Sequence, residues 1–174
     1  MPRKRGGNIL VAFSINSRYS LKLLNFLHDS LGGIDKYKII LRSHPFMPID
    51  LIMKERHLSL DTNFSISENS RFEDDLKDAS LFIYIDTTSS IEALMLGIPV
   101  VHIDFKEPTS PDPLFKLNSL KFTVSAEKDK LCDSIENIYG MDNEEYFKKY
   151  EEAVSYLKDY FHPVEEKYLK EFIK

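Results

Sequence analysis

Apolar positions in this chain come in short unbroken runs, separated by stretches where apolar residues recur every three or four positions. Unbroken runs are what strands covered on both faces require, and the wider spacing is that of one helix face. Strands are accordingly predicted over residues 9–13, 37–41, 64–66, 81–85, 99–103 and 122–124. Between the first two, Leu21, Leu24, Leu27, His28 and Leu31 share one helical face, which Gly32-Gly33 terminates. Further helices are predicted over 48–56 and 72–79. Another starts in the cluster Thr87-Thr88-Ser89-Ser90, turns Ile91, Ala93, Leu94 and Leu96 inward, and stops at Gly97 with Pro99 just beyond. This alternation of strand and helix predicts an α/β fold: a Rossmann-like, three-layer domain with a mainly parallel sheet of about six strands.

After Val124 the pattern changes to charged amphipathic helices over 128–139 and 143–161, with Pro163 opening a last one through Phe172. We expect one domain over 1–174, with an α/β core at 8–125 and a helical C-terminal tail at 126–174. The tail's Tyr and Phe residues fall at helical spacing, the mark of packing surface. A chain of 174 residues that is 43% hydrophobic suffices for one buried core. The segment 106–113, with three prolines, is expected to be a mobile loop beside the strand ends.

Charge narrows the partners. A net charge of −5 leaves no basic field for a polyanion, which argues against nucleic acid while leaving room for a small, locally held anion. The one cysteine, Cys132, excludes an internal disulfide, and without a Cys/His cluster no metal site is predicted. These features suit the cytoplasm. Arg3, Lys4 and Arg5 precede the first apolar run, but no cleavage site follows, so the expectation is a solvated basic end with at most peripheral membrane contact. No apolar stretch approaches the roughly 20 residues of a membrane span.

In open parallel sheets ligands bind beyond the carboxyl ends of the strands, where helix N-termini gather. Three polar loops of this chain belong there: 14–18, 43–45 and 86–90. The last combines hydroxyls with free backbone N–H groups at a helix start, which suits a phosphate. A helix cap accounts for one hydroxyl, whereas Thr87 to Ser90 supply four. Glu92 either accepts from ribose hydroxyls or favours the helix dipole as a first-turn acid. His44, biased to extended backbone by Pro45, either donates to a phosphate or leaving group or is structural. Arg18 and Arg42 are further anion candidates: Arg18, placed in a loop, is preferred, and Arg42 reads either as such a ligand or as an ordinary strand-end cation. Glu73-Asp74-Asp75 reads as an acidic first turn rather than a metal site. Phosphate-loop hydrolysis and dinucleotide binding lack their motifs, GxxxxGK[ST] and GxGxxG.

Leu41-Arg42-Ser43-His44-Pro45, then Asp86-Thr87-Thr88-Ser89-Ser90-Ile91-Glu92-Ala93-Leu94, then Gly97-Ile98-Pro99-Val100, resemble the C-terminal domain of GT-B glycosyltransferases. Among these the order is most similar to the capsule and surface-polysaccharide group, which pairs an HP motif with a serine/threonine cluster. The resemblance covers residues 8–103. It implies that His44, Thr88, Ser89 and Ser90 hold the donor's phosphate, with Glu92 near its ribose, and that the ligand is a CMP-, CDP- or UDP-linked sugar bound with no cofactor or metal. In such enzymes an N-terminal Rossmann-like domain supplies the acceptor site and usually the base, and 174 residues leave no room for it. Taken as it stands, the chain is therefore expected to carry half an active site and to be inactive without that partner domain. Two other readings stay open: a nucleotide-sugar epimerase domain of the same architecture, and a non-catalytic nucleotide-binding or interaction domain.

Overall fold

A computed structural model describes residues 6–107 and 112–161. The chain runs β1 (Asn8–Ala12), α1 (Ser17–Leu31), β2 (Ile39–Arg42), α2 (Ile49–Arg56), β3 (Phe64–Ile66), α3 (Phe72–Asp78), β4 (Ala79–Tyr84) and α4 (Ser89–Met95). It continues with β5 (Val100–Asp104), β6 (Lys121–Ser125), α5 (Lys128–Gly140) and α6 (Asn143–Tyr160). The six strands form one sheet in the order β3-β2-β1-β4-β5-β6, and each neighbouring pair is parallel. This is the Rossmann-like architecture expected from the alternating pattern.

The unbroken apolar runs are explained by the two faces of the sheet. Successive strand residues point to opposite sides, and here both sides are covered. Ile9, Val11 and Phe13 join Leu81, Ile83, Val101 and Ile103 in a core closed by α1, α2 and α5. Leu10, Ala12, Phe82, Tyr84 and Val100 join a second core closed by α3, α4 and α6. The tail therefore divides: α5 contributes Leu131, Ile135 and Ile138 to one layer, and α6 contributes Tyr146, Ala153 and Leu157 to the other.

Boundaries shift where pairing overrides local pattern. Ala79 was expected in helix, but Asn8 pairs with it, so α3 ends at Asp78 and β4 starts two residues early. The Arg3–Arg5 end, the predicted helix from Pro163 to Phe172, and residues 108–111 of the proline-rich loop lie outside the described residues. Among the described residues, no helix is long and apolar enough to cross a membrane.

Gly97 joins α4 to β5 and has a φ of +72°. A Cβ there would lie 3.0 Å from the Tyr146 hydroxyl, which donates to the Gly97 carbonyl and ties α6 to this turn. Gly97→Ala is therefore expected to destabilise the fold by at least about 1–2 kcal/mol, the cost of a left-handed residue with a side chain. Urea denaturation measures it, and a change within about ±0.5 kcal/mol, the scatter of neutral surface substitutions, would contradict the steric argument.

Candidate active site

The central strands β1 and β4 lead away in opposite directions, β1 through α1 to β2 and β4 through α4 to β5. Such a switch point leaves a crevice between the two loops. Here side chains bridge it. Ser14, which is buried, donates from Oγ to Asp86 Oδ2 at 2.9 Å and accepts the Asn16 N–H at 3.0 Å. Ser20 Oγ donates to the Ser14 carbonyl at 2.9 Å, and Asn16 caps α1 by accepting the Arg18 N–H. The β1 and β4 loops are thus fixed relative to each other.

Beside this bridge, where α3 and α4 both begin, lies a cleft of about 190 Å³. Ala12 and Phe13 line it from β1, Arg42 to Pro45 from the end of β2, Phe72 from α3, and Thr87, Ser89 and Glu92 from the β4 loop and α4. Four residues singled out in the sequence, Arg42, His44, Ser89 and Glu92, are therefore brought to one cleft, and Thr87 joins them. The others are not. Thr88 is exposed and makes no side-chain cap hydrogen bond. Ser90 is fully buried, and its hydroxyl donates to the Thr87 carbonyl at 2.9 Å. Arg18 stands in the first turn of α1 rather than in a loop, 70% exposed in its side chain and 3.6 Å from Glu107, outside the lining of the cleft.

The hydroxyl cluster divides because a helix turns about 100° per residue, 3.6 residues making one turn. Thr87 Oγ1 accepts the Ser89 N–H at 3.3 Å and so does the work of a cap, while it donates to Ser89 Oγ at 3.2 Å. That leaves the Ser89 hydroxyl proton for the cleft.

His44 opens a tight turn in which Met47 N–H donates to the His44 carbonyl at 2.9 Å. Its ring Nδ1 accepts the Phe46 N–H at 3.2 Å. An Nδ1 that accepts carries no proton, so the neutral ring holds its proton on Nε2 and is a donor there. Ser43 Oγ accepts the N–H of Ile49, the first residue of α2, and so anchors this turn to a helix start.

Arg42 is not an ordinary strand-end cation. Its guanidinium donates to Asp75 Oδ2 at 2.9 Å, to the Asn69 carbonyl and to the Ser70 carbonyl at 3.2 Å. Asp75 also accepts from Ser67 Oγ at 2.6 Å and Asn69 Nδ2 at 2.8 Å, and its side chain is only 2% exposed. The acidic first turn expected of Glu73-Asp74-Asp75 therefore holds for Glu73 and Asp74, while Asp75 faces inward and clamps the end of β2 to α3. Glu73 is held below the usual carboxylate range by hydrogen bonds, first to its own backbone and then to Arg71.

Sequence reasoning missed a second polar cluster, buried behind α4. Tyr84 OH donates to Asp112 Oδ1 at 2.8 Å, as does the Leu114 N–H at 2.9 Å, and Lys121 Nζ pairs with Asp112 Oδ2. Burial pushes the Asp112 carboxyl up, but Lys121, the Leu114 N–H and Tyr84 together hold it below its ordinary value. His102, 3.9 Å from Asp112, is kept neutral by burial, so this approach is not an ion pair. No signal marked the cluster in the sequence, since Lys121 and Asp112 sit in segments that read as strand edge and loop. Among the described residues, no group of three or more His, Cys, Asp or Glu could hold a metal ion.

No protein-family model matches this sequence, and no curated protein matches it. Solved structures do. CalG4, the calicheamicin glycosyltransferase, superposes with a TM-score of 0.61 at 15% identity, over 88% of this chain and 39% of that one. The glycosyltransferase SnogD from Streptomyces nogalater gives 0.57 at 18%, over 88% of this chain and 41% of the other. The catalytic domain of cholesterol-alpha-glucosyltransferase from Helicobacter pylori gives 0.58 at 18%, over 87% of this chain and 99% of that domain. The likeness shows that this chain has the fold found in GT-B glycosyltransferases. It spans about two-fifths of the length of CalG4 and SnogD.

Proposed function

We propose that this domain binds the donor nucleotide-sugar of a GT-B-type glycosyltransferase of surface-polysaccharide biosynthesis, acting in the cytoplasm. The observation that carries the reading is the convergence of His44 with Thr87, Ser89 and Glu92 on one cleft at the strand ends of a fold shared with such enzymes. Ser89 donates to the donor's phosphate while Thr87 orients it by donating to Ser89 Oγ, His44 donates from Nε2 as charge develops on the leaving group, and Glu92 accepts from the ribose. Donors fixed in advance at the point where charge develops stabilise a transition state without reorganising. Arg42, with its charge already matched by Asp75, shapes the wall. Ser90 supports the first turn of α4 from behind. The acceptor site and the base that activates the acceptor come from a second domain.

Calorimetry with CMP, CDP and UDP tests the reading. Binding is expected to persist in excess chelator, because the cleft offers hydroxyls and an imidazole N–H rather than a carboxylate cluster. Absence of heat with all three nucleotides, or binding that requires magnesium, would overturn it.

A further inference from the structure

A second cavity of about 190 Å³ lies at the opposite end of the sheet, between the second half of α1 and the connection that leads from α2 to the start of β3. It shares no residue with the cleft at the strand ends. Leu24 and Phe64, both buried, give it apolar walls.

The polar groups around those walls are fixed by the backbone that carries them. Asn63 donates from Nδ2 to the Leu31 carbonyl at 2.9 Å and accepts the Gly33 N–H at 3.2 Å, which ties the turn before β3 to the end of α1. On that turn Asp61 Oδ2 lies 2.6 Å from His28 Nδ1. A Cβ at Gly32 would stand 2.5 Å from the same oxygen, so the glycine leaves the carboxylate room to approach. A carboxylate only accepts, so Nδ1 carries the proton and Nε2 of the neutral ring is left as an acceptor. His57 closes α2 in left-handed backbone, with a φ of +54°, its N–H on the Lys54 carbonyl and the Leu58 N–H on the Met53 carbonyl. Asn25 adds an amide, donor and acceptor together.

A molecule that matches this lining has an apolar face and several hydroxyls around its edge. It is not an anion, since the Asp61 carboxylate would repel one. The volume, below the roughly 300–1,000 Å³ of pockets that enclose a drug-sized ligand, admits one ring rather than a chain. We infer that this cavity binds a neutral saccharide ring, its C–H face against Leu24 and Phe64 and its hydroxyls on His28 Nε2, Asp61, His57 and Asn25. The site stands apart from the donor-binding reading. A ring held where the strands start is out of reach of the cleft where they end, so it is anchored there and not transferred.

The test titrates methyl glucoside, methyl galactoside and glucuronate into the isotope-labelled chain and follows His28, His57, Asp61 and Phe64 by NMR. A neutral glycoside is expected to shift these resonances with a dissociation constant on the order of 1 mM, the affinity of a small ring with modest contacts. Glucuronate is expected to bind far more weakly. Asp61→Asn is expected to weaken the glycoside on the order of tenfold, the loss of one hydrogen bond to a charged group, and to narrow the gap to glucuronate. His57→Gly suits the left-handed backbone and so keeps the fold, and it too is expected to lose affinity. No shift at these residues up to the solubility of either glycoside overturns the site. So does glucuronate bound as tightly as the glycosides by the parent, or parental affinity in both Asp61→Asn and His57→Gly.

Discussion

Lys121→Met is expected to destabilise the fold by about 3–5 kcal/mol, the cost of leaving a buried carboxylate without its cation. The side chains of Lys121 and Asp112 are 6% and 10% exposed, so neither is rescued by water when its partner is removed. Tyr84 and the Leu114 N–H would still donate to Asp112, but two neutral donors do not replace a charge. The pH dependence has a definite sign. In the parent, the Asp112 carboxyl is held below its unfolded value, so its stabilisation is present above about pH 4, the ordinary carboxylate range, and is lost as pH falls through the lowered value. In Lys121→Met, burial is opposed only by the Leu114 N–H and Tyr84, so the carboxyl rises relative to the parent and ionised Asp112 carries a penalty that protonation relieves. The gap between parent and variant should thus be widest near neutrality and narrow in acid. Urea titrations at pH 7 and pH 4 measure both, and Lys121→Met with Asp112→Asn should recover part of the loss. A gap that is small at pH 7, or that widens in acid, would refute the pairing as a source of stability.

Ser89→Ala and Ser90→Ala are expected to fail in different ways although the residues are adjacent. Ser89 faces the cleft with a free hydroxyl proton, so its loss should weaken nucleotide binding by roughly tenfold to a hundredfold, the equivalent of about 1.5–3 kcal/mol for a charge-assisted hydrogen bond. Its melting temperature should scarcely move, because Thr87 caps the helix. Ser90 is buried with its hydroxyl on the Thr87 carbonyl, and its loss should cost about 1–3 kcal/mol of stability. Affinity should follow only in so far as the turn loosens. Calorimetry and thermal melting on both variants decide the matter. If Ser90→Ala loses affinity and Ser89→Ala does not, the roles assigned to the two hydroxyls are reversed.

The sheet was legible because its strands are covered on both faces, and double coverage writes itself as unbroken apolar runs such as 9–13 and 81–85. Ala79 was misread because its state is set by Asn8, far away in sequence, and not by its neighbours. At the cleft, the strand-end logic carried His44, Ser89 and Glu92 to one place. It did not carry Thr88 and Ser90, read with Ser89 as one ligand set, to the same cleft, since a helix start disperses adjacent side chains around its axis. It failed also for Arg42 and Asp75, whose pairing joins β2 to α3, and an acid in a run of acids gives no sign of facing inward.

The division of the tail between the two layers bears on how the chain reaches its native state. A nascent chain that has emerged only as far as β6 possesses the six described strands, yet α5 and α6, which complete its two cores, are still to be synthesised. Their contacts join the last third of the chain to the central sheet, and such distant pairings are made late and slowly. Until then apolar surface that α5 and α6 will cover stays exposed, the state in which a chain is most open to chaperones and to aggregation. Docking of α5 and α6 is thus the step that completes both cores.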